Sequence, residues 1–335
     1  MKIKTDVLRK ALDFLSMGVT RSIDKYETEL IEFETSNGKL KAYTNDGVNK
    51  LGMRICDTTD DFNVTLKFDM LYNLVKACKD DEIELKPAKN YTTFTTDTLS
   101  CRISTFTHKL DRPVFPKYDS KMKSENIKSA IPIIKSMLDE KHVEECYRYV
   151  YFGDHIMVSD TDNVIIINEN LFNNILIQMH SLLILTMFDE FDYICGQRSF
   201  CAHSDGRIVE FSLMDKTKFQ YNDMLELFKT TSKNSLVIEK TVLQNALNTA
   251  LLFDTENVDV VFDENGVRVE IPAANFKYSL SNHRCIDKKY TLPISLLKKM
   301  LVLGDQLTIG YDSDDLVYVE SGIYKAIYGV PNNAN

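Results

Sequence analysis

"VLQNALNTALLF", from Val242 to Phe253, carries a different pattern on each of two faces. Its apolar residues recur at the three- and four-residue spacing of an α-helix: Leu243, Ala246, Leu247, Ala250 and Leu251. The opposite positions are polar but uncharged: Gln244, Asn245, Asn248 and Thr249. We therefore predict an amphipathic helix with one side in the core. Its other, solvent-exposed side carries no acid and does not repel a negatively charged partner.

The same helix pattern occurs three times, about 120 residues apart: "VLRKALDFL" from Val7, "NIKSAIPII" from Asn126 and "VLQNALNTAL" from Val242. A second apolar helix pattern follows each of them: "MLYNLVKAC" from Met70, "LFNNILIQM" from Leu171 and "LLKKMLVLG" from Leu296. Alternating strand patterns lie between and after these helices, with tight turns expected at Gly38, Gly153 and Gly266, where φ would be positive.

These repeats predict an α+β chain of three similar domains, each with two helices on antiparallel sheets, and six helices in all. Polar linkers at Arg112–Ser124 and Phe228–Ser235 separate the repeats, so we place the domains at residues 1–120, 121–233 and 234–335. The alternative is three unrelated α+β domains whose short helices look alike by chance.

Composition limits the classes of function. The chain has 335 residues, 44% of them hydrophobic, and a formal net charge of −9, which argues against a simple basic-patch DNA binder. Seven scattered cysteines and the amphipathic start "MKIKTDVLRKAL" favour a cytoplasmic protein without a membrane segment. We find no phosphate-loop, nucleotide-binding or zinc-ligand motif, so we expect no cofactor, no metal ion and no enzymatic activity.

Several short segments resemble the bacterial-type β sliding clamp, the β subunit family of DNA polymerase III. "HKLDRPVFPKYDS" is similar to the segment that closes the first clamp domain, at Phe115 and Pro116, and "FSLMDKTKFQYNDML" is similar to its counterpart in the second. "VSDTDNVII" and the final "AIYGVP" resemble two further family segments. The resemblance implies a ring of two chains that encircles double-stranded DNA without reading its sequence and is bound by a DNA polymerase and a clamp loader.

The resemblance implies that the DNA phosphates are contacted by the solvent-exposed faces of the helices and by the loop after the first helix. The candidate DNA-binding residues are Arg9, Lys10, Arg21, Lys76, Lys79, Lys128, Lys135, Asn174, Asn245, Lys298 and Lys299.

The resemblance also implies a pocket for a hydrophobic partner peptide and an interface between the two chains. The pocket residues would be Ser159, Thr161, Asp162, Val164, Leu316, Tyr328, Val330 and Pro331. Leu252 and Phe253 would close the dimer interface.

The chain departs from the family pattern at Pro132 inside the third helix, and at Thr161 and Asp162, which replace Gly and His. The segment "HSLLILTMF" from His180 adds about ten residues after the fourth predicted helix. These departures suggest a divergent member, such as a phage-encoded one. Two alternatives remain: a trimeric clamp of the two-domain type with an extra unit, and an enzyme on a repeated α+β scaffold.

Overall fold

A computed structural model of the chain describes residues 1–20, 26–114, 116–160, 162–229, 233–311, 313 and 315–330. Within these residues the architecture is α+β, with seven α-helices and with strands that all pair antiparallel. The predicted fold class is therefore correct.

The elements follow one another in three stretches. The first contains β1 (Lys2–Lys4), α1 (Thr5–Leu15), β2 (Leu30–Ser36), β3 (Lys39–Asn45), β4 (Asn49–Asp57), β5 (Asn63–Lys67), α2 (Phe68–Ala77), β6 (Glu82–Pro87), β7 (Tyr91–Thr95) and β8 (Ser100–Phe106). The second contains β9 (Ser120–Lys123), α3 (Glu125–Met137), β10 (Tyr149–Phe152), β11 (Ile156–Ser159), β12 (Asn163–Ile167), β13 (Ile175–Gln178), α4 (Met179–Leu185), β14 (Glu190–Cys195), β15 (Ser199–Ser204), β16 (Arg207–Ser212) and α5 (Tyr221–Lys229). The third contains β17 (Ser235–Glu239), α6 (Lys240–Ala250), β18 (Asn257–Asp263), β19 (Gly266–Ile271), β20 (Phe276–Ser281), β21 (Lys288–Pro293), α7 (Ile294–Met300), β22 (Gln306–Gly310), β23 (Leu316–Ser321) and β24 (Tyr324–Gly329).

The chain divides into two compact units that do not coincide with the three predicted repeats. One unit combines Met1–Glu125 with His180–Leu213, and the other combines Asn126–Met179 with the residues from Met214 onward. Each unit therefore holds one complete predicted repeat and one half of the middle repeat. The three-domain boundaries at 120 and 233 stay a prediction.

The first unit is built on one twelve-stranded sheet, in the order β1-β6-β7-β8-β5-β2-β3-β4-β16-β15-β14-β9. The strands β4 and β16, from different repeats, pair from Asn49–Phe211 to Met53–Arg207. Backbone hydrogen bonds thus run without interruption from the first repeat into the second half of the middle repeat.

The second unit has an eight-stranded sheet, in the order β13-β10-β11-β12-β24-β23-β22-β17, and a four-stranded sheet, in the order β20-β19-β18-β21. Here β12 of the middle repeat pairs with β24 of the last repeat, from Asn163–Tyr328 to Ile167–Tyr324. The same kind of strand pairing therefore joins repeats at two places in the chain.

The predicted apolar stripes of α1 and α6 are buried, apart from Leu251. On α6, Leu243, Ala246, Leu247 and Ala250 are at most 1% exposed, whereas Leu251 lies in the following turn and is 42% exposed. On α1, the matching residues Leu8 and Leu12 are fully buried. Each buried leucine contributes about 1.5–3 kcal/mol of hydrophobic free energy.

The prediction for the fourth helix is wrong. The first four residues of the predicted helix, 171–174, belong to neither a helix nor a strand, and the next four form the strand β13. The helix α4 begins eight residues after Leu171, at Met179. The segment from His180, read as an insertion, is therefore mostly this helix. A seventh helix, α5, was not predicted; it precedes the predicted linker Phe228–Ser235 and overlaps its first two residues. Gly38 and Gly266 have positive φ as expected, but Gly153 does not.

The segment that follows β8 is tied to the sheet by one arginine. Arg112 Nη2 donates to Glu32 Oε1 at 2.7 Å, and its Nη1 donates to Glu34 Oε2 at 2.5 Å. Glu32 is 5% exposed and also accepts the Leu110 amide at 3.0 Å. Burial of a carboxylate is tolerated here because each of its oxygens has a charged or amide donor.

We expect Arg112→Met to lower the free energy of unfolding by about 3 kcal/mol, because it leaves the buried Glu32 carboxylate without its charged partner. Thermal melting followed by circular dichroism measures the change. Arg102→Met is the matched control: Arg102 is exposed and lies 4.5 Å from the centre of the Tyr91 ring, a contact worth about 1 kcal/mol or less. Equal melting temperatures for the two variants would contradict the assignment.

Candidate nucleic-acid interface and peptide-docking surface

Six of the predicted DNA-binding residues are lysines with exposed side chains on helices or at helix ends. Lys10 lies on α1, Lys128 and Lys135 lie on α3, and Lys298 lies on α7. Lys76 lies on α2 with its ammonium 4.5 Å from the centre of the Tyr72 ring, and Lys79 follows the end of this helix. All six keep their charge at the surface, as a phosphate contact requires.

Arg9 makes hydrogen bonds within the protein that its position on the predicted helix face did not indicate. Its Nη1 donates to Asp6 Oδ1 at 2.6 Å, and its Nη2 donates to the carbonyl of Cys78 at 3.0 Å. The arginine therefore holds the C-terminal end of α2 against α1 and is only 33% exposed. Its charge is largely used within the protein.

Lys299 is also engaged inside the protein. Its Nζ lies 3.5 Å from Asp160 Oδ2, and the two side chains are 33% and 17% exposed. Lys298, the neighbouring residue, is exposed and has no ion pair among the described residues. The two lysines of α7 thus play different parts, although the sequence presents them as one pair.

Asn174 does not lie on a helix, because the fourth helix begins later in the chain than predicted. It has a positive φ of 57° in the turn before β13, and its Oδ1 accepts a hydrogen bond from the Tyr151 hydroxyl at 3.0 Å. The true fourth helix, α4, has the sequence MHSLLIL and carries no lysine or arginine. It therefore adds neither of these cations to the solvent-exposed helix faces.

The helices differ in the acids they carry. α6 and α7 contain none, and Asn245, Gln244 and Asn248 are exposed on α6. On α1, Asp6 pairs with Arg9, and Asp13 accepts the Tyr72 hydroxyl at 2.8 Å. The acids of α1 are therefore partly neutralised, and α6 with α7 forms the least repulsive face for a polyanion.

Arg21, Thr161 and Pro331 lie outside the described residues, so three of the predicted site residues have no described position.

The two places where strands join different repeats share one turn structure. In the turn before β4, Asp46 accepts the Asn49 amide at 2.6 Å and the Asn49 side chain at 3.0 Å. In the turn before β12, Asp160 accepts the Asn163 amide at 2.9 Å and its side chain at 2.8 Å. These turns place the first residues of β4 and β12 for pairing with β16 and β24.

Part of the predicted peptide pocket lies on one face of the eight-stranded sheet. Ser159 is directly opposite Val164, Val164 is opposite Ile327, and Ile327 is opposite Tyr318, so these side chains share a face. Leu316, two residues before Tyr318, belongs to the same face.

The remaining described pocket residues lie at the end of β24. Asp162 is exposed, and its carbonyl accepts the Gly329 amide at 3.0 Å. Val330 is half-exposed, and its amide donates to the Asp315 carbonyl at 2.8 Å. Both are therefore at the rim of the face that carries Val164 and Leu316.

Tyr328 does not belong to this face. It follows Ile327 on β24, so its side chain points to the opposite side of the sheet, where it is fully buried. Burial raises the pKa of its hydroxyl, and the nearby Asp160 raises it further. The structure therefore places Tyr328 on the side of the sheet opposite to Val164, and its assignment to the peptide pocket stays a prediction.

The helix α5 is the part of this surface that sequence reasoning missed. Tyr221, Met224, Leu225 and Phe228 pack onto the hydrophobic cluster that includes Val164. The Tyr221 ring lies 4.4 Å from Tyr151, and the Phe228 ring lies 6.4 Å from Tyr318. The spacing of 221, 224, 225 and 228 is helical and could have identified α5.

The two predicted interface residues are at the surface. Leu252 is 81% exposed and Phe253 is 44% exposed, in the turn that ends α6. The Phe253 ring lies 5.1 Å from the ring of Phe276, the first residue of β20. With Leu251, they form an apolar patch beside the edge strand β20, rather than part of the core.

Two further observations concern membranes and metals. Among the described residues, none of the helices combines the length and apolar character needed to cross a lipid bilayer. The same residues contain no group of three or more His, Cys, Asp and Glu side chains that could hold a metal ion.

Comparison with known proteins identifies the fold. No protein-family model and no curated protein matches the sequence. Solved structures do match over nearly the full length. A putative DNA polymerase III β subunit from Eubacterium rectale has a TM-score of 0.85, 12% identity and 99% coverage of both chains. The β chain of DNA polymerase III from Streptococcus pneumoniae has a TM-score of 0.86, 12% identity and 98% coverage of both.

A third similar structure is the Helicobacter pylori β clamp bound to a DNA ligase peptide. It has a TM-score of 0.80 and 12% identity, and covers 98% of this chain and 99% of its own. The chain thus has the fold of bacterial DNA polymerase III β subunits, which the resemblance predicted. Because both chains are covered almost completely, this chain has no additional unit that these β subunits lack.

The two lysines of α7 should respond differently to charge reversal. We expect Lys299→Glu to lower the free energy of unfolding by about 1–2 kcal/mol, because it replaces the ion pair with one new carboxylate that repels the carboxylate of Asp160. Lys298→Glu should change it by less than about 0.5 kcal/mol, since this side chain is exposed. Urea unfolding of both variants measures the difference, and a larger loss for Lys298→Glu would contradict the structure.

Proposed function

We propose that this chain is a non-enzymatic DNA sliding clamp, which encircles double-stranded DNA and tethers a DNA polymerase. The observation that carries the proposal is the fold match to DNA polymerase III β subunits over 98–99% of both chains. Low sequence identity is expected of a divergent member of that family. We expect such a protein to act in the cytoplasm and to be placed on DNA by a clamp loader.

The charges of the helices support DNA as the partner. Duplex DNA carries one negative charge per ~1.7 Å of axis, so a surface that faces it must be poor in acids. The exposed lysines of α1, α2, α3 and α7 and the amides of α6 meet this requirement, although the whole chain carries a net charge of −9. Contacts to phosphates alone would be weak and salt-sensitive, which permits sliding.

A closed ring follows from a strand pairing that occurs twice within the chain. The fourth strand of the first repeat, β4, pairs with β16, the last strand of the middle repeat. In the same way β12 pairs with β24. By this rule we infer that the equivalent third pair joins β20 of one chain to β8 of a second chain, at Ser100–Ser104, which pair with β7 but not with β5 in their own chain. Two copies related by a twofold axis would form this pair twice and close the ring.

The apolar patch beside β20 supports this interface. Leu251, Leu252 and Phe253 expose large apolar side chains next to Phe276 at the start of this strand. Apolar residues that adjoin an open strand edge favour association, because pairing of the edge buries them as well. We therefore assign Leu252 and Phe253 to the interface of a homodimer.

A partner peptide would dock beside α5, over the half-buried Leu316, and Ser159 and Val164 lie buried beneath this surface, at 0% and 3% exposure. The Helicobacter pylori clamp, which has this fold, is bound to a DNA ligase peptide. The half-exposed Val330 and the aromatic side chains of α5 would provide apolar contacts at the rim. Asp162 at this rim would favour a peptide with a basic residue.

The rival function is an enzyme on the same scaffold, and retention on DNA separates the two. The chain is allowed to thread onto linear duplex DNA, both ends are then blocked with bound streptavidin, and the complex is washed with high salt. A sliding clamp stays on the blocked DNA and leaves when a restriction enzyme cuts it. Equal retention on blocked and open DNA would overturn encirclement.

The exposed lysines on the helices should determine how well the protein associates with DNA. We expect the triple variant Lys10→Glu, Lys76→Glu and Lys298→Glu to bind more weakly, with the salt dependence reduced by about 0.9 per lost phosphate contact. Its melting temperature should stay unchanged, because all three side chains are exposed.

The matched control for this variant reverses three exposed lysines outside the helices: Lys89→Glu, Lys109→Glu and Lys117→Glu. Both variants change the net charge equally, so a general charge effect would weaken DNA binding in both. Loss of binding in the control alone would place the DNA contact elsewhere on the surface.

The apolar patch at the end of α6 should hold the two chains together. The native mass should be twice the chain mass of 38.5 kDa, and Leu252→Asp with Phe253→Asp should reduce it to one chain mass. Light scattering after gel filtration measures this. Val143→Asp, at a residue 93% exposed, is the control and should leave the dimer intact. A dimer that persists in the double variant would refute the assignment.

A further inference from the structure

The linker between the first two repeats lies across one face of the first junction, where β4 pairs with β16. We call its residues 111–118, apart from 115, the strap. Asn49 of β4 accepts a hydrogen bond from the Ser181 hydroxyl of α4 at 2.7 Å, so its side chain points toward the helices. The next residue, Lys50, points to the opposite face, which we call the outer face, and Glu210 of β16 is directly opposite it.

Polar contacts hold the strap on the outer face. Lys50 Nζ lies 2.8 Å from Asp111 Oδ2 and 3.3 Å from Glu210 Oε1. Glu210 Oε2 accepts the Val114 amide at 2.8 Å. The Asp111 carbonyl accepts a hydrogen bond from the Asn45 side chain at 3.1 Å. Both members of the Lys50–Glu210 ion pair therefore bind the strap.

The end of the strap covers a cysteine on the same face. Tyr118 stacks on His203 of β15, with the ring centres 5.7 Å apart. Cys201, two residues earlier on β15, is directly opposite Glu210 and is only 3% exposed. Burial, and then the nearby Cys201 thiol, raise the pKa of the Tyr118 hydroxyl to about 12. The strap thus buries a thiol that points away from the helices.

The second junction, where β12 pairs with β24, has an equivalent face with a different pair of side chains. At each junction the paired strand begins with the asparagine of the shared turn. The residue after it is Lys50 in β4 and Val164 in β12, and the cross-strand partners are Glu210 and Ile327. Val164 and Ile327 are 3% and 4% exposed. An ion pair therefore stands at the first junction where the second has an apolar pair.

We propose that the strap occupies, within its own chain, the first-junction counterpart of the surface that we assign to a partner peptide, and that Lys50 and Glu210 direct it there. This inference rests on the proposed function, because it explains which of two equivalent junctions takes a partner. A hydrophobic peptide at the first junction would have to displace the strap and remove water from both charges. The ion pair thus confines apolar partners to the second junction.

Alkylation of Cys201 by N-ethylmaleimide reports on the strap without any partner. Burial raises the pKa of this thiol to about 11, so it should react slowly while the strap is closed. Asp111→Ala with Val114→Pro removes the carboxylate and the amide that bind the ion pair, and leaves the pair in place. We expect this variant to be alkylated at Cys201 at least about tenfold faster, as measured by mass spectrometry. An unchanged rate would overturn the strap.

Two controls accompany the alkylation. Lys109→Ala with Lys117→Ala changes two exposed side chains of the same linker and should leave the rate at Cys201 unchanged within about twofold. Cys146, which is 6% exposed in the second unit, should react equally slowly in all three proteins. Faster alkylation of both cysteines in the strap variant would contradict a local strap, because it would show that the whole chain had loosened.

Native mass spectrometry of the full chain counts the bound peptides. The probe is a pool of peptides about eight residues long, made of Leu, Phe, Ser and Lys. Lys50→Val with Glu210→Ile gives the first junction the side-chain types of the second, and such an exchange of an ion pair for apolar residues is often tolerated. We expect this variant to bind one peptide more per chain than the unaltered protein, which should bind a single peptide.

The matched control is Lys121→Val with Glu190→Ile, which removes an ion pair of 2.8 Å from another part of the same sheet. It should bind as many peptides as the unaltered protein. Equal numbers on the Lys50→Val with Glu210→Ile variant and on this control would overturn the inference. Binding by that variant, with none by the unaltered protein, would support the strap and overturn docking beside α5. The two proposals can therefore fail separately.

Discussion

The structure depends on strand pairing between repeats. No repeat can end its sheet without leaving a row of unpaired amides and carbonyls, and the chain meets this constraint at two places, where β4 pairs with β16 and β12 pairs with β24. These pairings explain why the compact units cut the middle repeat in half, since each half belongs to the sheet that continues from a neighbouring repeat. We propose that a third pairing of the same kind joins β20 to β8 of a second chain, and the proposed ring rests on that pairing.

The two junctions are held by polar side chains as well as by the backbone. At each junction an aspartate in the turn binds an asparagine three residues later, and a cation or imidazole from a helix lies near the same aspartate. Lys299 approaches Asp160 to 3.5 Å, and His180 approaches Asp46 to 3.8 Å. The structure therefore uses some polar groups on the helices to fasten the sheets, and those groups contribute less charge to the surface.

Two of the basic residues predicted to contact DNA also make polar contacts within the protein. Arg9 holds the end of α2, and Lys299 holds a turn, while the other lysines on α1, α2, α3 and α7 are exposed. The acid-free faces of α6 and α7 keep the surface compatible with phosphates without a high density of cations. A moderate attraction of this kind suits a protein that is retained on DNA by its topology and must move along it.

The sequence by itself determined the fold class and the buried stripes of α1 and α6, because helical periodicity is local and is read from residues within three turns of each other. It misplaced the fourth helix, since Leu171, Phe172, Ile175 and Leu176 have helical spacing, although Ile175–Gln178 pair with β10 as a strand. It could not tell which side of the sheet Tyr328 occupies relative to Val164, since that depends on register with β12, which is distant in sequence. Tertiary structure alone decided these points, as well as the roles of Arg9 and Lys299, because their partners are brought near by folding.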